Sequence, residues 1–173
     1  IGGDIFFFFC KVILWGLLNC HSASTVNPLV PVGKSYPLLL DEQDKLEVEN
    51  TLQSMVDKLG IRFGSVNVEL VVDKMGKVWP IDVGPRAGGN MIPDLLGLIF
   101  DVDVVEMAVL TAMGEEINNE VHDGIPFYAT HNLHTDQTGI YKTIEFSKEL
   151  DEKIIKKCLY KKPGDCVEYF DNA

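Results

Sequence analysis

The residues best suited to chemistry gather in the middle of the chain. "SVNVELVVD", Ser65 to Asp73, and "KVWPIDV", Lys77 to Val83, read as two strands joined by a tight turn at Gly76. If Met75 and Gly76 form the loop, Glu69 lies directly across from Asp82, and Asn67 across from Gly84. Like charges in that relation, with side-chain carbons about 4.5 to 5.5 Å apart, destabilise a strand pair unless something positive stands between them. A hard divalent cation meets the need, because Mg²⁺ takes oxygen ligands and is usually held by one or two carboxylates, with substrate phosphates completing its shell. Arg86, just past the strand end, has the planar fork that suits a phosphate or carboxylate and stays charged at any ordinary pH. Gly88 and Gly89 would let the backbone approach the same ligand closely. Spacing alone leaves open a plainer alternative, a polar outer face with a surface ion pair worth about 0 to 1 kcal/mol.

The elements that must position these residues follow from periodicity. Alternation puts Val66, Val68, Leu70 and Val72 with Trp79, Ile81 and Val83 on a core face, and Asn67, Glu69, Val71, Asp82 and Gly84 on the other. A helix is expected from Asp41 to Gly60, capped by Asp41 and stopped by Gly60, with Leu46, Leu52, Met55, Val56 and Leu59 as its apolar stripe. A short apolar run covers Ile92 to Phe100. A second helix is expected from about Asp103 to Met113, with Asp101 or Asp103 as its cap, Val104, Val105, Ala108 and Val109 inward and Gly114 as its end. The opening "IFFFFCKVILWGLL" reads as two buried strands on either side of Cys10 and Lys11. The stretch from His21 to Pro37, rich in Ser, Pro and Gly, reads as a surface loop. Further on, "IPFYATHNL" and "GIYKTIEF" suggest strands, "KELDEKIIKKCLY" a short helix with Leu150, Ile154, Ile155 and Cys158 inward, and "DCVEYF" a closing strand.

Composition narrows the partners. The 173 residues are 46% hydrophobic and carry a net charge of -11, which argues against nucleic acid, whose phosphates call for clustered Lys and Arg. A phosphate ligand would therefore need a metal beside it. The apolar opening is interrupted by Lys11 and falls short of the roughly 20 residues of a membrane helix, so no membrane partner is expected. Cys10, Cys20, Cys158 and Cys166 lack CxxC spacing and are expected to be reduced thiols of a cytoplasmic protein. "GKS", Gly33 to Ser35, imitates the tail of a P-loop, but Pro28 stands where the pattern requires Gly. His131 and His134 are three apart, and on a strand they point to opposite faces, which disfavours a shared metal.

"GSVNVELVVDKMGKVWPIDVGPRAGGNMIP" resembles the metal-binding region of the ATP-grasp superfamily, in which a strand ending "NVE" leads through a turn to a segment of the "EvNpRxgG" type. "VPVGKSYP" before it and "DVDVVEMAVLTAMGEE" after it resemble the same family, so the likeness covers Ile1 to Glu116. Residues 117–173 resemble the small, variable C-terminal module of some members. The expected class is α+β: an ATP-grasp C-terminal subdomain over 1–116, a twisted antiparallel sheet with helices on one face, then a small β-rich tail.

The resemblance implies an ATP-dependent ligase, similar to the carbamoyl-phosphate synthase large subunit, biotin carboxylase and amino-acid ligases, which activates a small carboxylate as its acyl phosphate for attack by an amine or other nucleophile. It implies ATP with Mg²⁺, or Mn²⁺ in its place, held by Glu69 and Asp82. It further implies Arg86 at the transferring phosphoryl group, Gly88 and Gly89 near the nucleotide, and Val71 against the adenine. Gly84 stands where many members have a metal-binding Asn, and either a water or Asn67 opposite is expected to take its place. The first ATP-grasp subdomain, with its phosphate-binding lysines, is expected to precede Ile1 as a missing partner of the site. Two other readings stay open: a non-catalytic ATP-grasp-like binding or regulatory module, and a structural domain of a larger assembly.

Overall fold

A computed structural model describes residues 1–23, 27–117, 121–122 and 127–169. The chain divides into two compact units, 1–22 with 31–132, and 23–30 with 133–173. The sequence placed a boundary after Glu116, whereas the first unit runs on to Asn132.

The first unit is organised by a sheet in the order β5-β4-β1-β2-β3-β6. Its strands are β1 (Gly2–Phe8), β2 (Lys11–Ala23), β3 (Asn27–Tyr36), β4 (Phe63–Val72), β5 (Val78–Gly84) and β6 (Tyr128–His131). β1 pairs antiparallel with both β2 and β4. The opening apolar run is thus the expected hairpin, turning at Phe9 and Cys10, both at positive φ (50° and 64°). Residues 24–26 of the expected surface loop lie outside the described residues, and on either side of them the stretch from His21 to Tyr36 is strand. β2 continues to Ala23 and β3 begins at Asn27, with Val30 and Val32 buried, so two-residue alternation outweighs the Pro and Ser content there.

Neighbouring β1 residues point to opposite faces, and each face is covered. Ile5 and Phe7 join Val66, Val68 and Leu70 of β4 against α1 (Glu42–Leu59). Phe6 joins Leu14 and Leu18 of β2 against α2 (Ile92–Phe100) and α3 (Val104–Met113). The α+β class and the antiparallel sheet are as expected, but the helices divide between the two faces. Covering both faces explains why β1 reads "IFFF" without polar alternation; each such side chain contributes about 1.5 to 3 kcal/mol on burial.

Helix ends match their signals more closely than helix faces do. Asp41 caps α1 through the Asp44 amide at 2.8 Å, and Gly60 closes it at φ 66°. Asp103 caps α3 through the amides of Val105 and Glu106. The buried stripe of α1, however, is Val48, Leu52 and Val56, with Leu46 and Leu59 exposed. On α3 the buried residues are Val104 and Met107, while Val105 and Val109 face outward.

In the second unit β7 (Gly139–Ile140) pairs antiparallel with β8 (Cys166–Val167). The helix expected over "KELDEKIIKKCLY" is a single turn, α4 (Lys148–Asp151), with Leu150, Ile155 and Cys158 exposed. Lys157 pairs with Asp151 and lies over the Phe146 ring. Ile125 and Pro126 of "IPFYATHNL", and Phe170 of the closing strand, lie outside the described residues.

Candidate functional site

The hairpin β4–β5 sets Glu69 opposite Asp82 and Asn67 opposite Gly84, as the sequence suggested, but by a different route. The loop is longer than two residues: the Asp73 amide donates to the Lys77 carbonyl, closing Lys74, Met75 and Gly76. Leu70 then pairs with Pro80, and a bulge that leaves Ile81 unopposed restores the Glu69–Asp82 pairing. The longer loop and the bulge offset each other. They also remove two residues from the expected core face, since Trp79 and Ile81 are exposed and Val78 is the buried residue. Trp79 instead donates its indole N–H to Asp73 Oδ2 at 3.0 Å, under the Lys77 ammonium.

Beyond β5 the chain folds back over the sheet. The Asn67 amide donates to the Arg86 carbonyl at 2.9 Å, and the Arg86 amide to the Gly84 carbonyl at 2.8 Å. Gly88 then donates its N–H to both oxygens of Asp4, at 2.9 and 2.8 Å. Asn67 Nδ2 donates to the same carboxylate at 2.8 Å and to the Gly3 carbonyl at 3.1 Å. Asp4 is 0% exposed, and burial pushes its carboxyl above the usual range. The Gly88 and Asn67 hydrogen bonds, and then the charges of Arg86 and Lys34, oppose that rise. Asn90 and Met91, both at positive φ, turn the loop into α2.

These elements surround a cavity of about 410 Å³. Asn67, Glu69, Arg86, Gly89 and Asn90 line it from one side, and Pro31, Gly33, Lys34, Thr130 and Asn132 from β3 and the segment around β6. Lys34 Nζ lies 4.0 Å from Glu69 Oε1, so the residue of the false P-loop stands in the wall of the site. Four of the expected residues, Asn67, Glu69, Arg86 and Gly89, therefore meet here. Gly88 is set back against Asp4, Asp82 is exposed beside Glu69 on the edge strand, and Val71 is half-exposed opposite Trp79 and outside the cavity lining. Asp4 and Lys34 were not singled out by the sequence reading. Asp4 is an acid inside a run of apolar residues, the signal that marks it in retrospect.

The donors suit a hard cation. Glu69 and Asp82 offer carboxylate oxygens at adjacent strand positions, and Asn67, its amide nitrogen committed to Asp4, would offer its carbonyl oxygen. Among the described residues no three His, Cys, Asp or Glu side chains form a metal cluster, so substrate phosphates would have to complete a shell here. No described helix is long and apolar enough to cross a membrane, and the four cysteines are free thiols.

No protein-family model matches the chain. Uncharacterized protein y4rH of Sinorhizobium fredii is 38% identical over 80 residues, which are 46% of this chain and 16% of that protein. Phosphoribosylglycinamide synthetase from Anaerococcus prevotii superposes with a TM-score of 0.84 at 20% identity, covering 99% of this chain and 44% of the enzyme. L-amino acid ligase from Bacillus licheniformis gives 0.79 at 18% identity, over 99% of this chain and 45% of the ligase. The biotin carboxylase domain of Hydrogenobacter thermophilus 2-oxoglutarate carboxylase, solved with MgADP and bicarbonate, gives 0.60 at 14% identity, covering 84% and 34%. The fold is that of the ATP-grasp ligases. The chain spans less than half the length of these three enzymes.

Proposed function

We propose that this chain carries the metal- and phosphoryl-binding part of an ATP-dependent carboxylate–amine ligase. The observation that carries the reading is the opposition of Glu69 and Asp82 across β4 and β5, with Glu69 and Arg86 lining one cavity. Glu69, Asp82 and the Asn67 carbonyl would hold Mg²⁺ or Mn²⁺, and the ion when bound would neutralise the charge of the ATP phosphates. Arg86 would stabilise charge on the transferring phosphoryl group. The Gly88–Gly89 loop, held by Asp4, would fix the backbone beside it. The acid would leave the first step as an acyl phosphate and then be captured by the amine. The remainder of the nucleotide site would come from a preceding subdomain, and a cytoplasmic setting agrees with four reduced thiols.

A non-catalytic binding module is the second reading, and Gly84 favours it, because the position facing Asn67 has no side chain to ligate a metal. Calorimetric titration of MgATP into this chain and into the full-length gene product separates the readings. Each is compared with its Glu69→Ala, Asp82→Ala variant. Binding by the full-length protein that the double substitution abolishes supports the ligase. Indifference of the full-length protein to MgATP removes it.

A further inference from the structure

Lys34 reaches a long way to enter the site. From β3 its side chain runs over β2, where Nζ donates to Cys20 Sγ at 2.7 Å, and over β1 toward Glu69 on β4. The path exists because β1 carries glycine at position 2: a Cβ there would lie 2.8 Å from Nζ and 3.0 Å from Sγ. The side chain is only 13% exposed, yet the acceptors it meets are poor. A thiol is a weak acceptor, and a carboxylate oxygen at 4.0 Å is beyond hydrogen-bonding distance, whereas an ammonium has three N–H groups to satisfy. A nearly buried cation with such partners, in the wall of an open cavity, is suited to an anion that enters from outside.

The position of Arg86 narrows which anion. Arg86 and Lys34 both line the cavity, from different segments, and the charges of both favour the ionised Asp4 carboxyl. If Glu69 binds a divalent cation, its charge is claimed by the metal and the 4.0 Å pairing with Lys34 weakens, freeing the ammonium as the phosphoryl donor arrives.

Building on the ligase reading, we propose that Lys34 is a substrate-binding residue that holds the oxyanion of the acid, first as the carboxylate and then as the acyl phosphate. In the step concerned, a carboxylate oxygen bonds to the γ-phosphorus, the bond from that phosphorus to the β,γ-bridging oxygen breaks, and ADP leaves with the electron pair. No proton moves, so Lys34 stays an ammonium and its task is electrostatic. Cys20 serves as its rest, keeping Nζ over Gly2 when the oxyanion is absent.

The test uses calorimetry on the full-length gene product, with inorganic phosphate as the oxyanion probe and Mn²⁺ with ADP as a separate arm. Lys34→Met should weaken phosphate binding roughly tenfold or more, Lys34→Arg should recover most of it, and the affinity for Mn²⁺ with ADP should not fall in either. Melting temperatures establish that each variant is folded, and Lys34→Arg keeps the charge if Lys34→Met does not fold. Phosphate binding that is absent from the wild type, or equal in wild type and Lys34→Met, overturns the proposal. A parallel loss of Mn²⁺ with ADP also overturns it, by assigning Lys34 to the nucleotide. Failure of the ligase reading shows separately, as a wild-type protein that ignores Mn²⁺ with ADP while its phosphate arm still reports on Lys34.

Discussion

The buried carboxylate of Asp4 accepts the Gly88 amide through both of its oxygens, at 2.9 and 2.8 Å. It ties the first strand of the chain to the loop after Arg86, and through Asn67 Nδ2 it ties in the strand that bears Glu69. Asp4→Ala takes a partner from two part-buried donors: the Gly88 N–H, left unmet at a cost of roughly 1 to 3 kcal/mol, and Asn67 Nδ2, which keeps the Gly3 carbonyl. The expected result is a drop of about that size in unfolding free energy, read in urea from the midpoint at unchanged slope. A change below about 0.5 kcal/mol, the range of ordinary surface substitutions, would mean that the loop is held by other contacts.

Gly88 and Gly89 are neighbours with opposite tolerance. A Cβ on Gly88 would lie 2.7 Å from Asn67 Nδ2, 2.8 Å from Asp4 Oδ1 and 2.9 Å from Ile92 Cδ1, whereas one on Gly89 meets nothing within 4 Å. Gly88→Ala should cost about 1 to 3 kcal/mol, the usual range for forcing a methyl into a packed site, and Gly89→Ala should be close to neutral. Thermal unfolding of the two variants side by side decides it. Equal melting temperatures would show that the Asp4–Gly88 contact yields without cost.

Much of this site was legible because its determinants are local. The Glu69–Asp82 pairing needs little more than strand alternation and a turn, and the reading survived a misjudged loop only because the Ile81 bulge adds back the residue that the longer loop removes. The extra loop residue has no sequence signature in "DKMGK", and because it sets Trp79 opposite Val71 and Pro80 opposite Leu70, Trp79 and Ile81 leave the core that strand alternation from a two-residue loop gives them. Helix caps were legible for the same local reason, since Asp41, Gly60, Asp103 and Gly114 act within a few residues of themselves. The helix faces were less so, because α1 and α3 carry more apolar residues than they bury, and tertiary contact selects Val48 over Leu46. Asp4 and Lys34 were out of reach for a different reason. Their roles depend on contacts 84 residues away at Gly88 and, for Lys34, on strands brought alongside by the order of the sheet.

Asp73 offers a titration that can be followed apart from the cavity. Its carboxylate accepts the Trp79 indole N–H at 3.0 Å and the amides of Met75 at 2.8 Å and Lys77 at 3.1 Å, all donors that favour the charged form. The Trp79 bond is the largest cause, followed by the Met75 and Lys77 amides, and together they hold the carboxyl below its ordinary 3.8. A carboxyl whose folded value is depressed binds fewer protons than its unfolded counterpart, so its contribution to stability is present above about 3.8 and is lost as pH falls through the lower folded value. Carbon-detected NMR should show Asp73 titrating below 3.8, and Trp79→Phe should move the midpoint back upward while leaving part of the depression in place. An unchanged midpoint in Trp79→Phe would assign the shift to the turn amides instead. The hairpin that sets Glu69 opposite Asp82 would then be closed by its loop alone, with no contribution from the indole on its edge.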